Sequence, residues 1–121
     1  MKYTLSIILF IGFSLNAFAQ KKPLIEEKDK IIAQAKTELN AIMANPEHEF
    51  TKSIQKNGIH GEYIFDLTIE GKGKILSVFV VSSEAADVKQ QNLVKDLVKS
   101  IVFNFKMPKD KSYKFQYTFN F

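Results

Sequence analysis

Cysteine is absent from this chain of 121 residues. That excludes disulfides, so an exported domain of this sequence must be held by packing alone. It also excludes a bacterial lipoprotein anchor, which needs a cysteine at its cleavage site. Arginine is absent too: all 17 basic side chains are lysine, against 13 carboxylates, for a formal net charge of +4. Sequence-specific readers of nucleic acid rely on arginine for bidentate contacts, so this balance argues against that class and describes a soluble, mildly basic surface. Long apolar runs are scarce, and the one present is at the start. Residues 5–18 are almost wholly apolar behind Lys2, and Ala17-Phe18-Ala19 places small residues where a signal peptidase inspects the chain. The pattern predicts a secretory signal over residues 1–19, cleaved after Ala19, and hence a periplasmic or secreted product. The alternative is a retained membrane anchor, for which the run is short against the ~20 residues of a span. Removing the signal leaves about 100 residues, enough for one domain with a modest core.

The centre of that domain is residues 61–81. Tyr63, Phe65, Leu67 and Ile69 alternate with Asp66, Thr68 and Glu70, the period of a strand with one face on a core. Residues 75–81 are β-branched and aromatic and form a second strand. Gly71 and Gly73 between them allow the positive φ of a tight reversal. Residues 113–121 form a third strand, with Tyr113, Phe115, Tyr117, Phe119 and Phe121 on one face and Lys114, Gln116, Thr118 and Asn120 on the other. Phe115 is expected to be buried.

Two helices are expected, and a third segment is open. Residues 21–44 carry Ile32, Ala35, Leu39, Ile42 and Met43 in one stripe, with Glu26 placed to pair with Lys30 and Asn45-Pro46 as a stop. This helix either docks on the domain or stands off as a spacer. Residues 47–60 form a short helix burying Phe50 and Ile54, or an extra strand paired through the Asn57-Gly58 turn. Asp87 with Gln90 three residues on is a capping box. Val94, Leu97, Val98, Ile101, Val102 and Phe105 then follow helical spacing, with Leu97 expected in the core and Pro108 beyond the end. A helix joining the second and third strands makes those two parallel, so the third lies antiparallel beside the first. The expected fold is α+β: a small antiparallel three-stranded sheet (β-β-α-β, order 2-1-3) packed on one helix, with an additional N-terminal helix. The expected divisions are 1–19 (signal), 20–46 (N-terminal helix) and 47–121 (α+β domain).

No catalytic, metal or cofactor-binding residue is expected. Glu47, His48, Glu49 and His60 match no zinc spacing. Ser82 and Ser83 lack the Gly-x-Ser-x-Gly elbow a hydrolase would need and suit a loop or cap. Asp66 is a lone carboxylate. Gly71-Lys72-Gly73-Lys74 has the composition of a phosphate loop but lies between strands, not before a helix. The aromatic strand could stack bases, but core packing explains it better.

The lead-in Gly58-Ile59-His60-Gly61-Glu62-Tyr63 resembles the approach to the first strand of the TonB C-terminal domain family. Phe65-Asp66-Leu67, the Gly71 to Gly73 turn, Ile75 and Val80-Val81-Ser82-Ser83 continue the likeness. So do the helix from Leu97 with its aromatic and Pro108, and the final strand with Phe119 and Phe121. The resemblance spans about residues 50–121. It implies a periplasmic, non-enzymatic domain that binds protein and, in the energy transducers, captures a segment of outer-membrane receptors at its sheet edge; the Ala-Phe-Ala-Gln ending of the signal suggests a Gram-negative source. The Tyr-Pro pair that often precedes that domain is replaced by Phe50-Thr51, and neither a proline-rich spacer nor an inner-membrane helix is evident. The resemblance therefore implies fold and binding mode without energy transduction.

The leading functional expectation is a protein-binding module whose open strand edge, residues 113–121, takes up a partner segment by backbone pairing. Gln116, Thr118 and Asn120 would read partner side chains, and Lys114, flanked by Lys109 and Lys111, would guard against self-association. The alternative is a carrier of a small apolar ligand, with a pocket between the aromatic strand and the helix. A hydrolase using Ser83 is the remaining class.

Overall fold

The computed structural model describes residues 21–121, and the expected signal at 1–19 lies outside them. The hairpin forms as its pattern dictates. Strand β1 (Glu62–Glu70) pairs antiparallel with β2 (Lys74–Ser83), and Tyr63, Phe65, Leu67 and Ile69 are fully buried on one face. Strand β3 (Ser112–Asn120) pairs antiparallel with the other side of β1, so the sheet order is β2-β1-β3. The fold is the expected α+β sheet. Phe115 and Phe119 of β3 are buried on the inner face, and the ring of Phe119 packs 5.8 Å from that of Phe65.

Among the described residues three helices cover that face, and the N-terminal one docks on the sheet and does not stand off as a spacer. Helix α1 (Lys28–Ala44) docks against β3, burying Ile31, Ala35 and Leu39 one turn apart, while Ile32, Ile42 and Met43 are half-buried at the flanks. Helix α2 (Glu49–Lys56) is the short helix and not an extra strand. It buries Phe50 and Ile54, and the ring of Phe50 packs tilted at 5.9 Å from those of both Phe119 and Phe121. Helix α3 (Val88–Lys99) packs on β2. The greasy face of β3 therefore lies under α1, where the helix following β2 was expected.

Two boundaries differ from the sequence reading. The first helix begins at Lys28, not near residue 21, because the preceding segment is extended: Lys106 donates to the Pro23 carbonyl and Ile25 donates to the Lys106 carbonyl, each at 2.8 Å. Lys30 accordingly pairs with Glu27 at 3.0 Å and not with Glu26. At the other boundary, α3 stops at Lys99, and the stripe does not continue to Phe105. Residues 101–107 run extended, with Ile101, Phe103, Phe105 and Met107 buried and Val102 51% exposed between them. The alternation 101/103/105/107 competes with helical spacing in the same letters. The extended reading prevails because Phe103 and Met107 donate to the carbonyls of Gly73 and Gly71 at 2.8 Å. A helix would leave those bonds unmade and put Phe103 on its polar side. Leu97, expected in the core, is half-buried at its margin, and Val94 and Val98 are the residues that α3 buries fully.

Candidate functional site

A sheet of three strands has two outer edges, and they differ. Along β2 the pairing to β1 slips twice, between Ile64 and Phe65 and between Thr68 and Ile69, leaving Val81 and Leu76 as bulged residues without a partner on β1. Bulges twist a strand and interrupt its hydrogen-bonding row, a common way of blunting an edge. Lys74, at the start of β2, is further engaged by a bridge to Val102. Along β3 the register with β1 runs unbroken from Glu62 opposite Asn120 to Glu70 opposite Ser112.

The parity of β3 follows from its last pair. Phe121 donates to the Gly61 carbonyl at 2.9 Å and Gly61 donates back to the Phe121 carbonyl at 3.1 Å. Antiparallel ladders alternate such reciprocal pairs with unbonded ones. Phe119, Tyr117, Phe115 and Tyr113 therefore bond inward to β1, while the N–H and C=O of Lys114, Gln116, Thr118 and Asn120 point away from it. Among the described residues no backbone group pairs with that outward row. The side chains of these four residues are exposed and lie on the sheet face opposite the helices.

Helix α1 holds this strand from below. The Tyr117 hydroxyl donates to Asn40 Oδ1, and Lys28 Nζ stands 5.8 Å over the Tyr113 ring. Burial raises the Tyr117 phenol above its ordinary value, so it remains a donor across the physiological range. These contacts engage side chains and not the outward main chain of β3.

The other sequence candidates have local roles. His48 caps α2: its Nδ1 accepts from the Phe50 N–H at 3.0 Å. That role was not anticipated, although a polar residue just ahead of Glu49-Phe50 was a usable signal. Glu47, His48, Glu49 and His60 do not converge, and no group of three metal-ligating side chains forms among the described residues. Ser83 Oγ accepts from the Ala85 N–H at 3.1 Å, shaping the loop after β2. Asp87 caps α3 through the Gln90 N–H at 2.7 Å, but the Gln90 side chain reaches back to the Ala86 N–H, one residue beyond the N-cap N–H of the usual box. Asp66 sits on the outer face between Phe79 and Gln116. The space between the aromatic strand and the helices is filled by rings. At its end lies a cavity of about 260 Å³ lined by Met43, Phe50, Ile54, Ile59 and Phe121, below the ~300–1,000 Å³ usual for small-ligand sites.

No family model and no curated protein matches the chain. Among solved structures it is similar to the solution structure of the Helicobacter pylori TonB C-terminal domain. The two are 22% identical over 78% of this chain and 84% of that one, with a TM-score of 0.41. A likeness of that size leaves function to be read from the β3 edge itself.

Proposed function

We propose that this protein is a non-enzymatic protein-interaction module that binds an extended partner segment by adding it as a fourth strand beside β3. The observation that carries this reading is the contrast between the edges: β3 offers an unbroken outward row of amides and carbonyls, whereas β2 is interrupted by two bulges. Unpaired strand edges attract further strands, and proteins that do not use them ordinarily disrupt them. In this arrangement main-chain hydrogen bonds supply affinity, and Gln116, Thr118 and Asn120 meet alternate partner side chains on the outer face. Lys114 places a charge in the row that disfavours pairing with a second copy of the same edge. The leader-like residues 1–19 support export, which makes a periplasmic partner, including a segment of an outer-membrane protein, the natural target.

Proline tests the reading. Gln116 and Thr118 both have outward N–H groups, so proline at either removes a donor from the edge without breaking the ladder to β1. A partner captured from periplasmic and outer-membrane extract should lose affinity for both variants. In the unmodified chain its binding should protect the amides of Lys114, Gln116, Thr118 and Asn120 from hydrogen exchange. Folded variants with unchanged affinity would show that the partner binds elsewhere.

A further inference from the structure

Three segments meet beside the hairpin turn: the β1–β2 turn itself, the extended residues 101–107 and the extended strap 22–25. They enclose a cleft of about 490 Å³. Leu24, Met107 and Pro108 supply its apolar wall, and Lys72, Lys106 and Lys109 its rim; no carboxylate lines it. The frame is built from backbone. Ile25 and Lys106 bond across the strap, Met107 donates to the Gly71 carbonyl at 2.8 Å, and Lys22 Nζ closes one side by donating to the Lys72 carbonyl at 3.1 Å. Leu24 is 57% exposed, although it stands beside buried Met107. Among the described residues none of the three rim lysines is ion-paired: the ion pairs formed are Lys30–Glu27 and Lys52–Glu47.

An apolar wall under a cationic rim is complementary to a ligand with the same two parts. The volume lies within the ~300–1,000 Å³ of small-ligand sites. Lysine stems can lie along apolar surface while their ammonium groups stay in water, and lysine meets an anion as a point charge with no planar fork to impose. The Lys106 N–H and C=O are both used by the strap, so that residue has no main-chain row to offer a peptide. We propose that this cleft binds an anionic single-chain amphiphile: an alkyl chain against Leu24, Met107 and Pro108, ending in a carboxylate or phosphate monoester held by Lys72, Lys106 and Lys109. The site is separate from the β3 edge and does not depend on the function proposed for it.

The test titrates the purified chain with monomeric dodecanoate and dodecyl phosphate, following the Met107 and Leu24 methyl resonances. The neutral dodecyl maltoside, inorganic phosphate and an oligoglutamate peptide serve as comparisons. Both anionic amphiphiles should shift those methyls, and whichever binds more tightly identifies the source as free fatty acid or phosphate-bearing lipid. Replacing Lys72, Lys106 and Lys109 together by Gln should weaken binding roughly tenfold or more, as loss of charge-assisted contacts implies. Leu24→Ser should weaken the amphiphiles and leave inorganic phosphate unaffected. All four positions are exposed, so these variants should fold, which circular dichroism checks. Equal binding of the maltoside, of phosphate alone or of the peptide, or a lysine-to-glutamine triple variant with undiminished affinity, would overturn the assignment. So would capture by phosphatidylglycerol vesicles with neither monomer moving the Met107 methyl.

Discussion

A Cβ atom on Gly73 would stand 2.6 Å from the carbonyl oxygen of Phe105, and 2.8 Å from that of Phe103. The β1–β2 turn and residues 101–107 are thus in backbone contact, and only glycine permits it. Gly71, two residues earlier, also has positive φ but meets nothing within 4 Å. The two glycines separate conformational strain from steric exclusion. Gly71→Ala should cost about 1–2 kcal/mol from its left-handed backbone. Gly73→Ala carries that strain and must also push residues 103–105 off the turn, so it should cost about 3 kcal/mol or more. Urea melts of the two variants measure the difference.

The parity of β3 can be measured without a partner. In native-state hydrogen exchange, the amides of Phe115, Tyr117, Phe119 and Phe121 should be protected by the ladder to β1. Those of Lys114, Gln116, Thr118 and Asn120 should exchange quickly. The reverse pattern would mean that β3 is paired one residue out of register, which would turn its aromatic face to solvent.

Core truncations should rank by burial. Phe115→Ala removes a ring that is 6% exposed and should destabilise by about 3–5 kcal/mol. Leu97 only flanks the core, so Leu97→Ala should cost about 1–2 kcal/mol, part of the value for full burial. Chemical denaturation gives both. A larger loss for Leu97 would place it in the core that Val94 and Val98 occupy.

His48 holds the first turn of α2 by accepting from Phe50 at 3.0 Å. His48→Ala should cost about 1 kcal/mol, the usual penalty for a lost N-cap. His48→Asn should recover most of it, because asparagine offers an acceptor in the same place. Equal losses would show that the ring acts by packing alone.

Alkaline pH should weaken the fold through Tyr63. Its phenol is held above the ordinary value first by loss of hydration, then by the carboxylates of Asp87 and Glu84. Below about pH 10, the unfolded value, the phenol is protonated in both states and its contribution is intact. As pH rises further, the unfolded chain releases the proton while the folded one retains it. Stability therefore falls until the folded phenol ionises as well. Tyr63→Phe should flatten this part of the curve, measured as unfolding free energy between pH 8 and pH 11.

Both the strands and the ambiguity at residues 101–107 can be seen in the letters. Alternation at Tyr63 to Ile69 and at Tyr113 to Phe121 determined two strands and the face each buries, because a strand turns its side chains with a period of two whatever it packs against. The glycines marked the turn, and Asp87 marked the start of α3. From those pieces the strand order followed by connection geometry alone. In residues 94–105 two periods overlap, and local pattern could not choose between them. The choice belongs to Gly71 and Gly73, whose carbonyls need donors that only an extended segment supplies. The strap before α1 was decided in the same way, by Lys106, a residue far along the chain. The two bulges on β2 leave no mark in composition, yet they separate a blunted edge from an open one. Side-chain pattern reports which face is buried. Where main-chain hydrogen bonds go is settled only when distant segments meet.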